Sequence, residues 1–417
     1  MLTLAVKSLK NRKFSTILTV ASIALSVTLL LGVERIRKEA KASFTKTISG
    51  TDLIVGARTG PVQLLLYSVF RMGNATNNIS WESYQEISRH PNIGWTIPIS
   101  LGDSHHGYRV MGTNADYFEH FRFAGGRRLE MSAGRWFEGV FDAVLGAEVA
   151  ETLGYHLQDA IVIAHGAGKI SFIKHDDKPF SVVGILKKTG TPVDQTVHVS
   201  LEGIEAIHID WQGGAPVPGH SISQQQVLNM DLTPKAITAF LVGLNSRIAV
   251  FNIQRFVNQY PKEPLLAILP GVALQELWGL IGVAEKAMIV VSGFVVVIGL
   301  CGMLIALMTS INERRREMAI LRSVGARPSH VYSLIVGESA LLTLTGIVIG
   351  ISLLYGLLMV AQPLIITRFG IFIEISAPSL YESCLVAIVF LAGVVIGLIP
   401  GYRIYRYSLA DGMTIRI

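Results

Sequence analysis

The most informative segment of the chain is Asn312-Glu-Arg-Arg-Arg-Glu-Met-Ala-Ile-Leu-Arg-Ser-Val-Gly-Ala-Arg-Pro-Ser-His330. Its spacing predicts a helix in which Glu313, Arg314, Arg315, Arg316 and Glu317 carry charge and Met318 and Leu321 form an apolar side. Gly325, just before Ala326, is a natural helix stop. Such a helix suits a cleft on a soluble partner, the apolar residues anchoring it and the charges setting register. The same residues also suit a positive loop whose helix hugs the membrane. Residue chemistry leaves the two readings even.

Glu338 is the one charge within the apolar run Val331–Thr367. A carboxylate inside a span is costly and marks a functional site by default. With no second buried charge in these runs, a structural or coupling role is favoured over ion transport. Histidines are frequent in segment 34–286, some beside acids, as in Asp103-Ser-His-His106 and His175-Asp-Asp177. None forms the i, i+4 pair of a helical metal site, and no cysteine assists. No metal site is expected; the candidates for one are His105, His106, His175 and Asp176. No nucleophile–base arrangement or carboxylate pair stands out. Gly166-Ala-Gly-Lys-Ile170 lacks the spacing and the hydroxyl of a phosphate-binding Gly-x-x-x-x-Gly-Lys-[Ser/Thr] loop. The chain therefore reads as non-catalytic, with no cofactor of its own.

These residues hang on long apolar elements. Half of the 417 residues are hydrophobic and only 16% are charged, with a mean hydropathy of +0.47. That excludes an ordinary soluble enzyme and a disordered chain. A net charge of +6 is too mild for a nucleic-acid binder. Four runs are long enough to span a bilayer: 15–33, 287–310, 331–361 and 383–402. The first lacks a small-x-small cleavage site and reads as an uncleaved anchor. Cys301 and Cys384 both fall within spans as small apolar residues. Gly346-x-x-x-Gly350 and Gly393-x-x-x-Gly397-x-x-x-Gly401 are small-residue ridges for close helix contact, within one protomer or between two.

Basic residues concentrate in segment 1–14, in 311–330 and in the tail 403–417, whereas segment 34–286 is nearly neutral. The positive-inside rule then places both termini and loop 311–330 in the cytoplasm and 34–286 outside. Arg35, Arg37, Lys38 and Lys41, just outside span one, argue mildly against this. The expected architecture is a membrane protein of four transmembrane helices, one plus three. A large mixed α+β extracytoplasmic domain lies between the first and second, and 362–382 is a short outer loop.

Within the outer segment, alternation predicts strands at Thr51–Gly56, Trp95–Leu101, Tyr108–Gly112, Ala160–Ala164, Ile170–Ile173, Phe180–Leu186, Ala236–Leu244 and Leu265–Leu269. Helices are expected at Trp81–His90, Asn114–Phe121, Ala147–Leu153, Leu201–Ile209, Ser246–Tyr260 and Val272–Lys286. Trp211–Gln226, rich in Gly, Pro and Gln, reads as a mobile loop or insert boundary. The expected division is a core of 45–110 and 227–270 with 111–226 inserted.

Glu313-Arg-Arg-Arg-Glu317, Ala319-Ile-Leu-Arg-Ser-Val-Gly-Ala326 and Gly337-Glu338-Ser339 resemble the permease domain of the MacB/FtsX family of ABC transporters. Ala5-Val-Lys-Ser-Leu-Lys-Asn-Arg12 is similar to that family's start, and Phe180-Ser-Val-Val-Gly-Ile-Leu186 with Thr189-Gly-Thr-Pro192 resembles its outer core domain. The resemblance implies a homodimer in the bacterial inner membrane whose inner helix docks on a cytoplasmic ABC ATPase. ATP and Mg would be bound on that separate chain, and its motion relayed to the outer domains. Further implied partners are membrane lipids and a periplasmic adaptor or membrane-fusion protein, and no nucleic acid. Cargo would be peptide, drug, lipid or lipoprotein. The alternative is a scaffold that transports nothing and mechanically activates a periplasmic hydrolase or sensor.

Overall fold

A computed structural model describes residues 12–166, 177–212, 215–216, 222–323, 325–369 and 376–405. The expected strand Ile170–Ile173, the candidates His175 and Asp176, and most of the Gly/Pro-rich stretch lie outside the described residues, as do the chain's first residues and its tail.

The chain begins with α1 (Lys13–Thr47), β1 (Leu53–Ala57), α2 (Pro61–Ser68), β2 (Ile79–Ser80), α3 (Trp81–Ser88), β3 (Ile93–His105) and β4 (Tyr108–Thr113). There follow α4 (Asp116–His120), β5 (Arg122–Phe123), β6 (Arg127–Arg128), β7 (Met131–Gly134), β8 (Asp142–Leu145), α5 (Ala147–Leu153), β9 (Ala160–Ile161) and β10 (Ala164–His165). Next come β11 (Phe180–Leu186), β12 (Thr196–Ser200), α6 (Leu201–His208), β13 (Trp211–Gln212), β14 (Ala215–Pro216), α7 (Gln224–Val227), β15 (Ala236–Ile237) and β16 (Ala239–Leu244). The last elements are α8 (Val250–Asn258), β17 (Leu265–Ile268), α9 (Pro270–Ser323), α10 (Pro328–Phe369) and α11 (Leu380–Tyr405).

Two units result. One holds α1 up to Ala40, α9 from Gly282, α10 up to Leu364, and α11; the other holds Lys41–Ile281. Among the described residues, four helices are long and apolar enough to cross a membrane: Lys13–Glu39, Pro270–Thr309, Ser329–Gln362 and Leu380–Arg403. Their apolar side chains, such as Phe294, Ile298, Val348 and Leu391, are exposed, as a lipid-facing surface requires.

In the second unit, an 11-stranded sheet runs in the order β17-β1-β16-β3-β4-β12-β8-β11-β7, with β10 paired to β3 and β9 to β11 off this path. Continuous Val, Ile and Leu runs make its strands: β1, Leu53-Ile-Val-Gly-Ala57, is buried at every position, as befits a strand covered on both faces. β3 and β4 form a hairpin in which His105 pairs with Tyr108. His106 and Gly107 close it with φ of 49° and 88°, the positive values a two-residue turn demands. β12 runs parallel to β4 and antiparallel to β8. Residues 111–226, expected as an insert, thus prolong the same sheet. One core cluster draws Ile54, Leu64 and Tyr67 from the flanking segments and Tyr117, Phe118 and Leu186 from 111–226. The local sequence suggested a seam there; strand pairing, which is non-local, closes it.

Candidate functional site

Segment 311–330 was expected as a short helix of its own. Instead α9 continues unbroken through Asn312 to Ser323, so the charged run prolongs the second span on the same helix. Glu313, Arg314, Arg315, Arg316, Glu317, Met318 and Leu321 sit on its last turns; their side chains lie outside the described residues. Gly325 has φ +98°, the left-handed conformation that ends helices. α10 then starts at Pro328, where the ring fixes a helical φ. Its first turn is held by His330, whose Nδ1 accepts from the Arg327 amide at 3.2 Å while its own amide donates to the Arg327 carbonyl at 2.9 Å. The result is a tight turn joining two long helices.

The glycine ridges pack within one protomer. A Cβ at Gly346 would meet Ile23 at 2.7 Å, and one at Gly350 would meet the Ala24 carbonyl oxygen at 2.7 Å. Thr28 Oγ1 donates to the Gly350 carbonyl at 2.9 Å. On α11, a Cβ at Gly393 would collide with Thr343, one at Gly397 would collide with Ser339, and one at Gly401 would meet Tyr332 at 3.1 Å. α10 is therefore clamped between α1 and α11 by absent side chains. Ser26 Oγ also donates to the Val295 carbonyl on α9 at 3.1 Å. Glu338 is 1% exposed, one residue before Ser339 in this clamp.

The membrane unit buries further charges besides Glu338, in a separate cluster. Arg35, 3% exposed, donates from Nη1 to the Tyr355 hydroxyl at 3.0 Å and from Nη2 to Ser376 Oγ at 2.8 Å. Glu382 Oε1 lies 3.9 Å from its Nη1. The Glu382 carboxylate accepts from the Ser379 amide at 2.6 Å, and the Glu382 amide donates to Ser379 Oγ at 3.3 Å. That reciprocal pair is a capping box opening α11. Glu34 takes a two-pronged contact from Arg37, at 2.9 Å to Nε and 2.6 Å to Nη2. The basic cluster beyond span one is thus partly neutralised by acids, which removes its weight in the charge argument. Ser379-Leu-Tyr-Glu382 was the sequence signal for this clasp.

In the other unit, Thr189-Gly-Thr-Pro192 wraps the buried Asp194. The Thr189 and Gly190 amides donate to its carboxylate at 2.8 and 2.7 Å. Burial still pushes the Asp194 carboxyl up, ahead of the lowering by those bonds. This is a structural corner. His105, a candidate metal ligand, is a core histidine held by the Val162 carbonyl at 2.7 Å and the Tyr155 hydroxyl at 3.0 Å. Burial pushes its pKa down. His106 occupies the hairpin turn. The fold instead brings Asp103 together with His165 and His208, which the sequence left scattered.

The family model of the MacB-like periplasmic core domain matches residues 16–234, and that of the FtsX-like permease C-terminal domain matches residues 289–409. No curated protein matches the chain. Among solved structures, the periplasmic region of MacB from Actinobacillus actinomycetemcomitans is similar at 12% identity and a TM-score of 0.34, covering 55% of this chain and 94% of that one. The extracellular domain of the noncanonic ABC-type transporter YknZ from Gram-positive bacteria is similar at 12% identity and a TM-score of 0.31, covering 52% of this chain and 99% of that one.

Proposed function

The chain belongs to the MacB/FtsX family of ABC transporter permeases, and from that premise we propose that it couples a separate cytoplasmic ATPase to work done by its outer domain on cargo. The observation that carries this reading is α9, one unbroken helix of 54 residues. At about 1.5 Å per residue it spans about 80 Å, and the charged run Glu313–Glu317 lies in its final turns. A continuous helix carries an unbroken ladder of backbone hydrogen bonds, so force applied at that end is passed along its length.

The turn 312–330 is the docking element on this reading, Met318 and Leu321 anchoring and Glu317 setting register. Both termini and this turn face the cytoplasm of the inner membrane, and the sheet unit faces the periplasm. The working form is a homodimer; ATP and Mg belong to the partner ATPase, and a periplasmic adaptor completes the path. The cargo class is peptide, drug, lipid or lipoprotein. The close glycine packing of α1, α10 and α11 supports movement of these helices as a block, without a channel between them.

The test is co-purification of the ATPase with Glu317→Lys and Leu321→Asp chains, with Lys174→Ala as control. Both changes should cut ATPase recovery and abolish cellular function while membrane insertion is unchanged. Wild-type recovery and activity in both variants would sink the coupling role. Reporter fusions after residues 312 and 410 should read cytoplasmic and one near 215 exported; an exported signal at 312 would reverse the topology.

A further inference from the structure

Asp103, His165 and His208 come from three separate elements. Asp103 lies near the end of β3, directly across from His165 in the β3–β10 pairing. His208 is the last residue of α6. His165 Nδ1 lies 3.1 Å from Asp103 Oδ1, and His208 Nε2 lies 3.5 Å from the same oxygen. The two imidazole nitrogens are 3.4 Å apart.

A tetrahedral zinc ion with bonds of about 2.0–2.1 Å separates neighbouring ligand atoms by about 3.3–3.4 Å. The three observed separations bracket that edge length. The tautomer of His208 agrees: its Nδ1–H donates to the Ile204 carbonyl at 2.8 Å, leaving Nε2 as the lone-pair nitrogen in the neutral ring. That lone pair faces a carboxylate oxygen and a second imidazole nitrogen. With no metal, protons on the two rings can serve both Asp103 contacts, but the 3.4 Å approach of the two ring nitrogens to each other is then left unserved. A metal ion satisfies all three at once, and the Ile204 bond is the kind of outer support that orients a ligating histidine.

Access fits as well. The Asp103 side chain is 4% exposed, whereas those of His165 and His208 are 45% and 24% exposed. The carboxylate is thus a buried floor beneath two imidazoles that open to solvent. Two nitrogens and one oxygen select a zinc-type ion over calcium or magnesium, which take oxygen ligands. A second cluster of this kind among the described residues, Asp116, Glu119 and His120, comes from a single helical turn. There the His120 ring stacks on Trp95 at 5.2 Å, and Asp116 already accepts from Asn114 at 2.7 Å.

We propose that Asp103, His165 and His208 form a binding site for one zinc-type divalent ion on the outer domain, with a fourth position left to water or an incoming donor. The ion ties β3, β10 and α6 together and gives this unit a dependence on metal that is independent of how the chain is energised.

The test uses the full, untagged chain in detergent, stripped with a chelator and titrated with Zn2+ alone by calorimetry and with Co2+ by absorption. One ion per chain and the intense visible bands of tetrahedral Co2+ are expected. His165→Ala and His208→Ala should each weaken binding at least about tenfold and abolish those bands, while His156→Ala, on the surface, leaves both intact. Asp103→Asn should do the same if it folds; if it does not, the two histidine variants decide. A stripped wild-type chain that takes up no stoichiometric Zn2+, or binding of wild-type strength in both histidine variants, would overturn the site.

Discussion

The two units are held together by opposite means. The sheet unit is held by large buried side chains: Phe240, Tyr117 and Phe180 are each at most 1% exposed, and Phe240 meets Tyr84 edge to face at 5.2 Å. The membrane unit is held by side chains that are missing. Gly346, Gly350, Gly393 and Gly397 let backbones touch, and Arg35 and Glu382 fasten the helix ends. Solvent explains the contrast. Water drives apolar side chains together, whereas lipid is as apolar as leucine, so helices gain from close backbone contact and from polar bonds.

The hardest test of this contrast is Phe240→Ala, which leaves a cavity in the sheet unit. It should cost about 3–5 kcal/mol, read as a lowered thermal midpoint of the full chain in detergent. A midpoint within a degree of wild type would mean that side-chain burial does not hold this unit.

In the membrane unit the largest effect should come from Arg35→Leu. The change makes a buried site apolar yet removes charged donors from Tyr355 and Ser376. Bonds from charged groups contribute about 1.5–3 kcal/mol, so a loss of that order is expected in the denaturant midpoint measured in detergent. A stabilised variant would show that hydrophobicity governs here after all.

Gly397→Ala sharpens the same point with one methyl group. In a loose interface alanine would be neutral or helpful in a helix. Against Ser339 it should cost about 1–3 kcal/mol, and Ser339→Gly in the same chain should recover most of it. Failure of that rescue would place the strain elsewhere.

The last effect is electrostatic, confined to the sheet unit and absent at neutral pH. Burial, with the nearby Arg71 charge, lowers the His198 pKa to about 3, against roughly 6.5 when unfolded. Between those values the unfolded chain binds the extra proton, so stability holds above about pH 6.5 and falls as pH drops toward 3. His198→Gln should flatten the decline of thermal midpoint between about pH 6 and pH 4; an unchanged slope would show that His198 does not drive it.

What the sequence determined by itself were properties that a segment carries alone. Long apolar runs, one of them holding a single charge, marked all four spans, because a bilayer imposes length and composition segment by segment. Strong local patterns likewise marked β11 at Phe180–Leu186 and α5 at Ala147–Leu153 to the residue. Weaker local signals failed: α2, entered at Pro61 with a run of leucines, and β12, Thr-Val-His-Val-Ser, were not recognised. Tertiary structure decided everything that depends on residues meeting. The glycine ridges were visible, but not their partners, since Gly350 and Thr28 lie 322 residues apart. Arg35 was read only as one of a basic cluster, and nothing in the string tied it to Glu382 until α1 and α11 put them in reach. Asp103, His165 and His208 were lone residues in the chain, and only the β3–β10 register and the end of α6 make them one cluster. Apolar periodicity is local and survives in a linear string; convergence is fixed by pairing and packing across the chain, and that is where the chemistry of this protein resides.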